Sequence, residues 1–186
     1  MSILVNPQWL RSRIGSNRAP VILDVRWYRY REGGYENYLQ HHIPNAIYVD
    51  MDRDLTGPRN PERGRRPFPP RRKVQELVER WGIDEDSYVV VYDSVGGTSA
   101  ARLWWILQNA GLKHVFFLDG GLDRWESAGM PTLTGPGILP LRGTFKVSDE
   151  NCMPTITADE AARWPEHGIL LDVRSERRYL GHFEYN

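Results

Sequence analysis

The sequence has very little cysteine and no net charge, and each of these features excludes a class of protein. Cys152 is the single cysteine among 186 residues, so no disulfide can form within the chain, which suits a reducing compartment. The 24 basic residues are balanced by 24 acidic residues. A dedicated nucleic-acid-binding protein usually carries an excess of basic residues, so this balance argues against nucleic acid as a partner.

Long apolar runs are also absent from the sequence. No stretch approaches the roughly 18 consecutive apolar residues that suggest a membrane span. The first residues, "MSILVNPQWL", have neither the charged region nor the apolar region of a signal peptide. We therefore expect a cytoplasmic protein that does not bind membranes. Hydrophobic residues make up 40% of the chain and aromatic residues 11%, and this composition is typical of a globular domain with its own core.

Short apolar runs alternate with helical patterns through most of the chain. In the segment before Gly82, apolar residues recur at Val74, Leu77, Val78 and Trp81, which is the spacing of an amphipathic helix. The same reasoning predicts strands at 20–27, 45–50, 87–93 and 113–119, and helices at 69–83, 98–111 and 121–129. This alternation predicts an α/β fold with a parallel sheet flanked by helices.

Three of the predicted strands end in an acidic residue: Asp24, Asp93 and Asp119. In parallel α/β sheets, ligands bind beyond the carboxyl ends of the strands. We therefore expect these three side chains to lie near one another at that edge of the sheet.

The sequence "LDVR" occurs twice, at Leu23–Arg26 and at Leu171–Arg174, each time after a segment with a helical pattern. Between the copies lies a stretch rich in Pro, Gly and Thr, which predicts a linker. We divide the chain into a first domain (1–134), a linker (135–154) and the beginning of a second, similar domain (155–186). On this division the second copy is incomplete and contributes only its first strand.

The loop after Asp93 is the most informative motif. Gly96 and Gly97 allow the backbone to approach a ligand closely, and the helix predicted near Thr98 directs its free N–H groups at the loop. No Lys follows the glycines, so the loop is not a Walker A motif. Two other interpretations stay open. Asp93 could simply accept hydrogen bonds in an ordinary turn, or it could be a phosphotransferase nucleophile, although Val95 stands where such enzymes have a second Asp.

Five stretches, taken together, resemble tandem-domain sulfurtransferases of the rhodanese family in order and spacing. They are "LDVRW", "HHIPNAIYVDMDRDLTG", "VVVYDSVGGTSAARLWWIL", "LDGGLDRWESAGMP" and "LLDVRSERRYLGH", and they extend from Leu23 to His182. The resemblance implies a rhodanese-like fold with the first strand of a second copy. It also implies transfer of a sulfane sulfur from thiosulfate or 3-mercaptopyruvate to a thiophilic acceptor such as cyanide or a thiol, without a cofactor or metal.

In the catalytic copy of such proteins the loop begins with a cysteine, whose thiolate becomes a persulfide. Here Asp93 stands in that place, so the resemblance implies a non-catalytic first domain with a vestigial anion loop. That loop comprises Asp93, Ser94, Gly96, Gly97, Thr98 and Ser99. The catalytic cysteine is then expected in the second domain, and the 186-residue chain alone is expected to be inactive. The first domain would pack on the second through exposed apolar surface. The alternative is a binding or scaffold module without chemistry.

The resemblance also assigns a role to arginines of the second copy. Arg174, supported by Arg178, is expected to bind the anionic donor, because a guanidinium pairs with two oxygen atoms at once. The alternative is a structural Asp172–Arg174 contact, like the one expected between Asp24 and Arg26. Cys152 has no apolar strand before it and no glycine loop after it, so we interpret it as a linker thiol.

Two further motifs have structural interpretations. The stretch Gly57–Arg72 contains six Arg and five Pro, but Phe68 is its single aromatic residue, whereas nucleic-acid-binding surfaces interleave several. We expect it to pack along the domain surface. His41 and His42 are adjacent, so in an extended segment their rings point in opposite directions, and we predict no metal site.

Overall fold

A computed structural model describes residues 2–28, 33–60, 62, 64–166 and 168–182. The chain forms two compact units, Met1–Met153 and Pro154–Asn186. The first unit contains a five-stranded parallel sheet. Its strands are β1 (Leu4–Val5), β2 (Val21–Asp24), β3 (Ala46–Tyr48), β4 (Val89–Tyr92) and β5 (Val115–Leu118). They lie in the order β1-β5-β4-β2-β3, so β4 is central and the predicted α/β fold with a parallel sheet is confirmed.

Five helices cover both faces of this sheet. They are α1 (Pro7–Arg13), α2 (Gly34–Gln40), α3 (Arg71–Arg80), α4 (Thr98–Asn109) and α5 (Gly121–Ser127). The central strand shows how the layers form: Val89 and Val91 pack with α3 and α4, whereas Val90 and Tyr92 pack with α1, α2 and α5. A strand buried on both faces needs a continuous apolar run, which "VVVY" supplies. No helix in the described ranges has both the length and the apolar character to cross a bilayer.

The arginine-rich stretch packs along the surface, as predicted. Phe68 stacks on Trp105 with ring centroids 4.5 Å apart, and Arg66 lies over Trp27 and pairs with Asp52 at 2.8 Å. The guanidinium of Arg102 in α4 donates to three backbone carbonyl oxygens, those of Leu55, Arg66 and Pro67. The side chains that make the stretch basic are thus used, in part, to attach it to the domain.

The segment that we predicted to be a linker packs against the first unit over residues 135–153, which we call the strap. Phe145 is buried in the core on the α3 and α4 side of the sheet. Its backbone N–H donates to the carbonyl oxygen of Ile83 at 3.0 Å, and Ser148 N–H donates to that of Ala110 at 2.9 Å. The strap has no regular secondary structure, and its backbone hydrogen bonds go to loops and to the ends of helices such as α3 and α4 rather than to a neighbouring strand.

The second unit contains α6 (Ala158–Arg163), a 3₁₀ turn (Trp164–Glu166) and α7 (Glu176–Tyr179). Thr157 and Glu160 form a capping box at the start of α6. The strand that we predicted near Ile169–Val173 is not formed, and its side chains are exposed. The physical reason is that an extended segment becomes a strand only when a neighbour completes its ladder of hydrogen bonds, and the described part of this unit supplies none.

Candidate functional site

The loop after β4 lies at the carboxyl end of the central strand. Gly96 and Gly97 have φ angles of 74° and 86°, in the left-handed region that glycine adopts without strain. Gly97 immediately precedes Thr98, the first residue of α4. The two left-handed residues turn the chain so that the N-terminal amides of the helix face back toward the end of β4.

Asp93 is buried, and its carboxylate accepts four backbone hydrogen bonds from this loop and helix. Val95 N–H and Gly97 N–H donate to Oδ1 at 2.9 and 2.8 Å, and the N–H groups of Ser99 and Ala100 donate to Oδ2, both at 2.9 Å. The interpretation of Asp93 as a turn residue hydrogen-bonded to loop amides is therefore confirmed. The loop holds an anion, and that anion is its own side chain.

This geometry weakens the phosphotransferase interpretation. A carboxylate nucleophile must present an oxygen to the incoming phosphorus atom, whereas both oxygens of Asp93 are already held by two N–H donors each. The other loop side chains also have local contacts. Ser94 Oγ lies 3.3 Å from the hydroxyl of Tyr28, Thr98 Oγ1 donates to the carbonyl oxygen of Val95, and Ser99 is buried.

A second glycine turn, Gly120–Gly121, completes the site from the end of β5. The N–H of Leu122 donates to the carbonyl oxygen of Asp93 at 3.0 Å, and any side chain at Gly121 would collide with that same oxygen. The two turns enclose a cleft of about 310 Å³ that Asp93, Asp119 and Asp123 line. Sequence reasoning missed this second turn, although "DSVGG" and "DGG" both place an Asp before paired glycines at a helix start.

The three acids at the strand ends separate into two environments. Asp93 and Asp119 share the cleft, and Asp119 also forms an ion pair with Arg124. Asp24 is fully buried and pairs with Arg26, with 2.6 Å between Oδ2 and Nη2. Arg26 also donates to backbone carbonyl oxygens at the end of α2. The expected structural contact of Asp24 with Arg26 is confirmed. Asp24 pairs in register with Tyr92, so it ends its strand beside Asp93, but its buried side chain does not line the cleft.

The predicted donor-binding arginines lie in the second unit. Arg174 Nε donates to both carboxylate oxygens of Asp172, at 2.9 and 2.8 Å, and Nη2 lies 2.6 Å from Oδ2. This is the structural contact that we gave as the alternative. Arg178 lies in α7, one turn after Arg174. Donor binding by either residue stays a prediction.

Cys152 lies at the opposite end of α4 from Asp93. Its backbone N–H donates to the carbonyl oxygen of Asn109, the last residue of that helix, and its side chain is exposed. A helix from Thr98 to Asn109 rises about 16 Å, and its carboxyl end carries the negative pole of the dipole. The surroundings of Cys152 therefore differ from the amide-lined loop that activates a thiolate.

The adjacent histidines have separate partners. His41 Nδ1 lies 2.6 Å from Oε1 of Glu126, and the buried His42 Nδ1 lies 2.9 Å from the carbonyl oxygen of Tyr38. Within the described ranges, no group of three or more His, Cys, Asp or Glu side chains is arranged to hold a metal ion.

Comparison with known proteins agrees with this geometry. The family model described as "Rhodanese-like domain" matches residues 6–128. A Mycobacterium tuberculosis protein named "Putative thiosulfate sulfurtransferase SseB" is 36% identical over 98% of this chain and 64% of its own length. A Pseudomonas aeruginosa protein named "Probable 3-mercaptopyruvate sulfurtransferase" is 34% identical over 97% of this chain and 64% of its own length.

The solved structures include SseA from Escherichia coli, a 3-mercaptopyruvate sulfurtransferase with the rhodanese fold. It superposes with a TM-score of 0.82 at 24% identity, over 96% of this chain and 68% of that one, so it shows that the fold is shared. The chain spans 64% of the length of the two curated relatives above. The family model covers more than half of the chain, including β2, β4 and the Asp93 loop, and the chain therefore belongs to the rhodanese family.

Proposed function

We propose that this chain supplies the non-catalytic module of a rhodanese-type sulfurtransferase. The complete protein would transfer a sulfane sulfur from thiosulfate or 3-mercaptopyruvate to cyanide or a thiol. The family membership and the names of the curated relatives support this reaction class. The single cysteine is consistent with a protein of the cytoplasm.

The observation that carries the proposal is the set of four hydrogen bonds to Asp93. In a catalytic rhodanese loop the same kind of amides would stabilise a cysteine thiolate and the persulfide formed from it. A carboxylate has no sulfur to form that bond. Its two oxygens also occupy the four N–H donors that an anionic substrate would need. The first unit is therefore proposed to have a structural role.

On this proposal the persulfide forms on a cysteine of the second module. The thiolate attacks the outer sulfur of thiosulfate, a new S–S bond forms, and sulfite leaves with the electron pair of the broken bond. Arg174 and Arg178 are proposed to bind the oxygens of the donor, which requires Arg174 to exchange Asp172 for the ligand. The first unit is proposed to pack on the second module and to form one wall of the active cleft.

Intact-mass measurement of the 186-residue chain tests the proposal. The chain is incubated with thiosulfate, and separately with 3-mercaptopyruvate, and its mass is compared before and after cyanide treatment. We expect no gain of sulfur. A gain of one sulfur atom that cyanide removes, and that a Cys152→Ser variant abolishes, would assign the chemistry to Cys152 and overturn the structural role. A full-length relative that takes up sulfur provides the positive control.

A further inference from the structure

A second cavity lies at the β3 edge of the sheet, whereas the cleft of Asp93 is lined by residues from β1, β4 and β5. It is open, has a volume of about 590 Å³, and lies beside the edge strand β3, the end of α3 and the strap. It shares no lining residue with the first cleft. A cavity of this size is large enough for a small organic ligand.

One end of this cavity carries two arginines held by one buried carboxylate. Asp54 accepts from Arg53 at two positions, each 3.2 Å, and from Arg80 at 3.0 Å. Burial acts to raise the pKa of Asp54, but hydrogen bonds from Arg53, from the backbone of Asp50 and from Arg80 outweigh it and lower that pKa. Asp54 thus stays ionised and fixes both guanidiniums. Nη1 of Arg53 and Nε and Nη1 of Arg80 have no acceptor within the described part of the chain.

A carboxylate with a free oxygen lies beside these arginines. Oδ1 of Asp50 accepts from the backbone N–H groups of Asp52 and Arg53, at 2.9 and 2.7 Å. Oδ2 of Asp50 has no donor among the residues that the structure describes. Two guanidiniums and two carboxylates sum to zero charge. Among the described residues, the N–H groups without an acceptor belong to Arg53 and Arg80, and the oxygen without a donor belongs to Asp50. A ligand that carries one positive and one negative group complements both sets, and the Arg53 and Arg80 side chains, 65% and 43% exposed, are accessible to it.

The rest of the cavity wall is aromatic and apolar. The rings of Tyr35 and Tyr48 have centroids 5.2 Å apart and are inclined at 49° to each other. Leu139 of the strap also lines the cavity, with 62% of its surface exposed. An apolar group placed here would gain roughly 25 cal/mol for each Å² removed from water. This wall favours a ligand with an apolar or aromatic side chain.

The strap that forms part of this wall is fixed before any ligand arrives. The hydroxyl of Tyr38 donates to the carbonyl oxygen of Ala46 at 2.7 Å and lies 3.3 Å from that of Pro136. Gly137 packs so closely on this hydroxyl that a side chain there would collide with it, and its φ of +68° also requires glycine. A preformed wall lowers the ordering cost of binding.

We propose that this cavity binds a free α-amino acid with an apolar or aromatic side chain. The ligand carboxylate accepts from Arg53 and Arg80, its ammonium group donates to Asp50, and its side chain lies against Tyr35, Tyr48 and Leu139. The proposal does not depend on sulfur transfer, because the cavity shares no residue with the Asp93 loop.

An NMR titration of the ¹⁵N-labelled chain with L-phenylalanine tests this site. We expect saturable shifts of amides at 47–53 and 137–139, with a Kd on the order of 1 mM. Asp50→Asn keeps the Oδ1 acceptor for the backbone but loses the charge, and Arg80→Gln leaves Arg53 on Asp54. Each substitution is expected to raise the Kd about tenfold, the scale of one lost charge-assisted contact. Arg72 lies in α3, as Arg80 does, and its side chain is exposed. Arg72→Gln is therefore the control, and we expect it to leave the Kd unchanged.

Two analogues that each carry a single charge separate the contributions of the ligand's carboxylate and ammonium groups to binding. We expect 3-phenylpropanoate, which lacks the ammonium group, and 2-phenylethylamine, which lacks the carboxylate, to bind more weakly than L-phenylalanine. Asp50→Asn should not weaken binding of 3-phenylpropanoate. The proposal is overturned if L-phenylalanine gives no saturable shift, if either analogue binds as tightly, or if both variants keep the original Kd while their circular dichroism shows a folded chain.

Discussion

The four backbone amides that donate hydrogen bonds to the Asp93 carboxylate would also stabilise a thiolate at the same position. A substitution tests this directly. In a Cys152→Ser background, Asp93→Cys places a sulfur among the N–H groups of Val95, Gly97, Ser99 and Ala100. Amides at a helix N-terminus stabilise the thiolate, so we expect the pKa of the new thiol to fall clearly below about 8.5. The pH dependence of iodoacetamide alkylation measures it. An alkylation midpoint at or above that value would show that the loop does not activate a thiol.

Removing the Asp93 carboxylate should also destabilise the fold. Asp93→Ala leaves four N–H groups without their acceptor, and a buried unsatisfied group costs about 1–3 kcal/mol. Because the adjacent cleft can admit water to some of these groups, we expect a total loss of about 3 kcal/mol, measured by urea unfolding. Asp119→Asn in the same cleft is the matched control, since its ion pair with Arg124 is partly exposed. Its effect should stay within about 1 kcal/mol, and equal losses for the two variants would contradict the prediction.

Among the elements, α4 also anchors the arginine-rich stretch through Arg102. Its guanidinium donates to three carbonyl oxygens, and burial together with the nearby Arg66 lowers its pKa. A Lys cannot reproduce this planar set of donors. We expect Arg102→Lys to lower the free energy of unfolding by about 2 kcal/mol, whereas Arg72→Lys on α3, whose side chain is 91% exposed, should change it little. A stable Arg102→Lys chain would mean that the contacts of Phe68 with Trp105 and of Arg66 with Trp27 and Asp52 hold the stretch without Arg102.

The strap has an acid-sensitive attachment at Asp84. The hydroxyl and the backbone N–H of Thr144 donate to its carboxylate, at 2.6 and 2.8 Å, and lower its pKa from the ordinary 3.8. A depressed folded-state pKa means that this stabilisation is complete above 3.8 and is lost as pH falls through the lower folded-state value. Asp84→Asn should therefore destabilise the chain at neutral pH and have less effect in strong acid. Urea midpoints of both chains across that range check this, and a difference independent of pH would contradict it.

The elements that could be predicted are those whose own residues carry the pattern. Val74, Leu77 and Val78 predicted α3, and the apolar run at 89–92 predicted β4. In contrast, β1 has two residues and α2 buries only Tyr38, so neither has a periodicity to detect. The vacant acceptor of Asp50 and the two guanidiniums on Asp54 depend on contacts across the fold, which composition and spacing do not encode.

At the scale of the whole molecule, the strap raises the question of where the first domain ends. The sequence predicted that the first domain ends at 134, because the following Pro and Gly residues lack a helical or strand pattern. Phe145, however, belongs to the core, and backbone hydrogen bonds attach the strap to Ile83 and Ala110. The net stability of a domain is only about 5–15 kcal/mol. Removal of one core aromatic side chain and the backbone hydrogen bonds around it would therefore cost a large fraction of that stability.

Two truncated chains decide between the boundaries. Residues 1–153 keep the strap and should unfold in one cooperative transition, whereas residues 1–134 lose Phe145 and expose its pocket. Since removal of a buried Phe side chain costs about 3–5 kcal/mol, the shorter chain should be less stable by at least that amount, or fail to fold. Phe145→Ala in the 1–153 chain separates the side chain from the backbone hydrogen bonds of the strap. If the two truncated chains unfold at the same urea concentration, the strap is a linker after all, and residues 135–153 add nothing to the first unit.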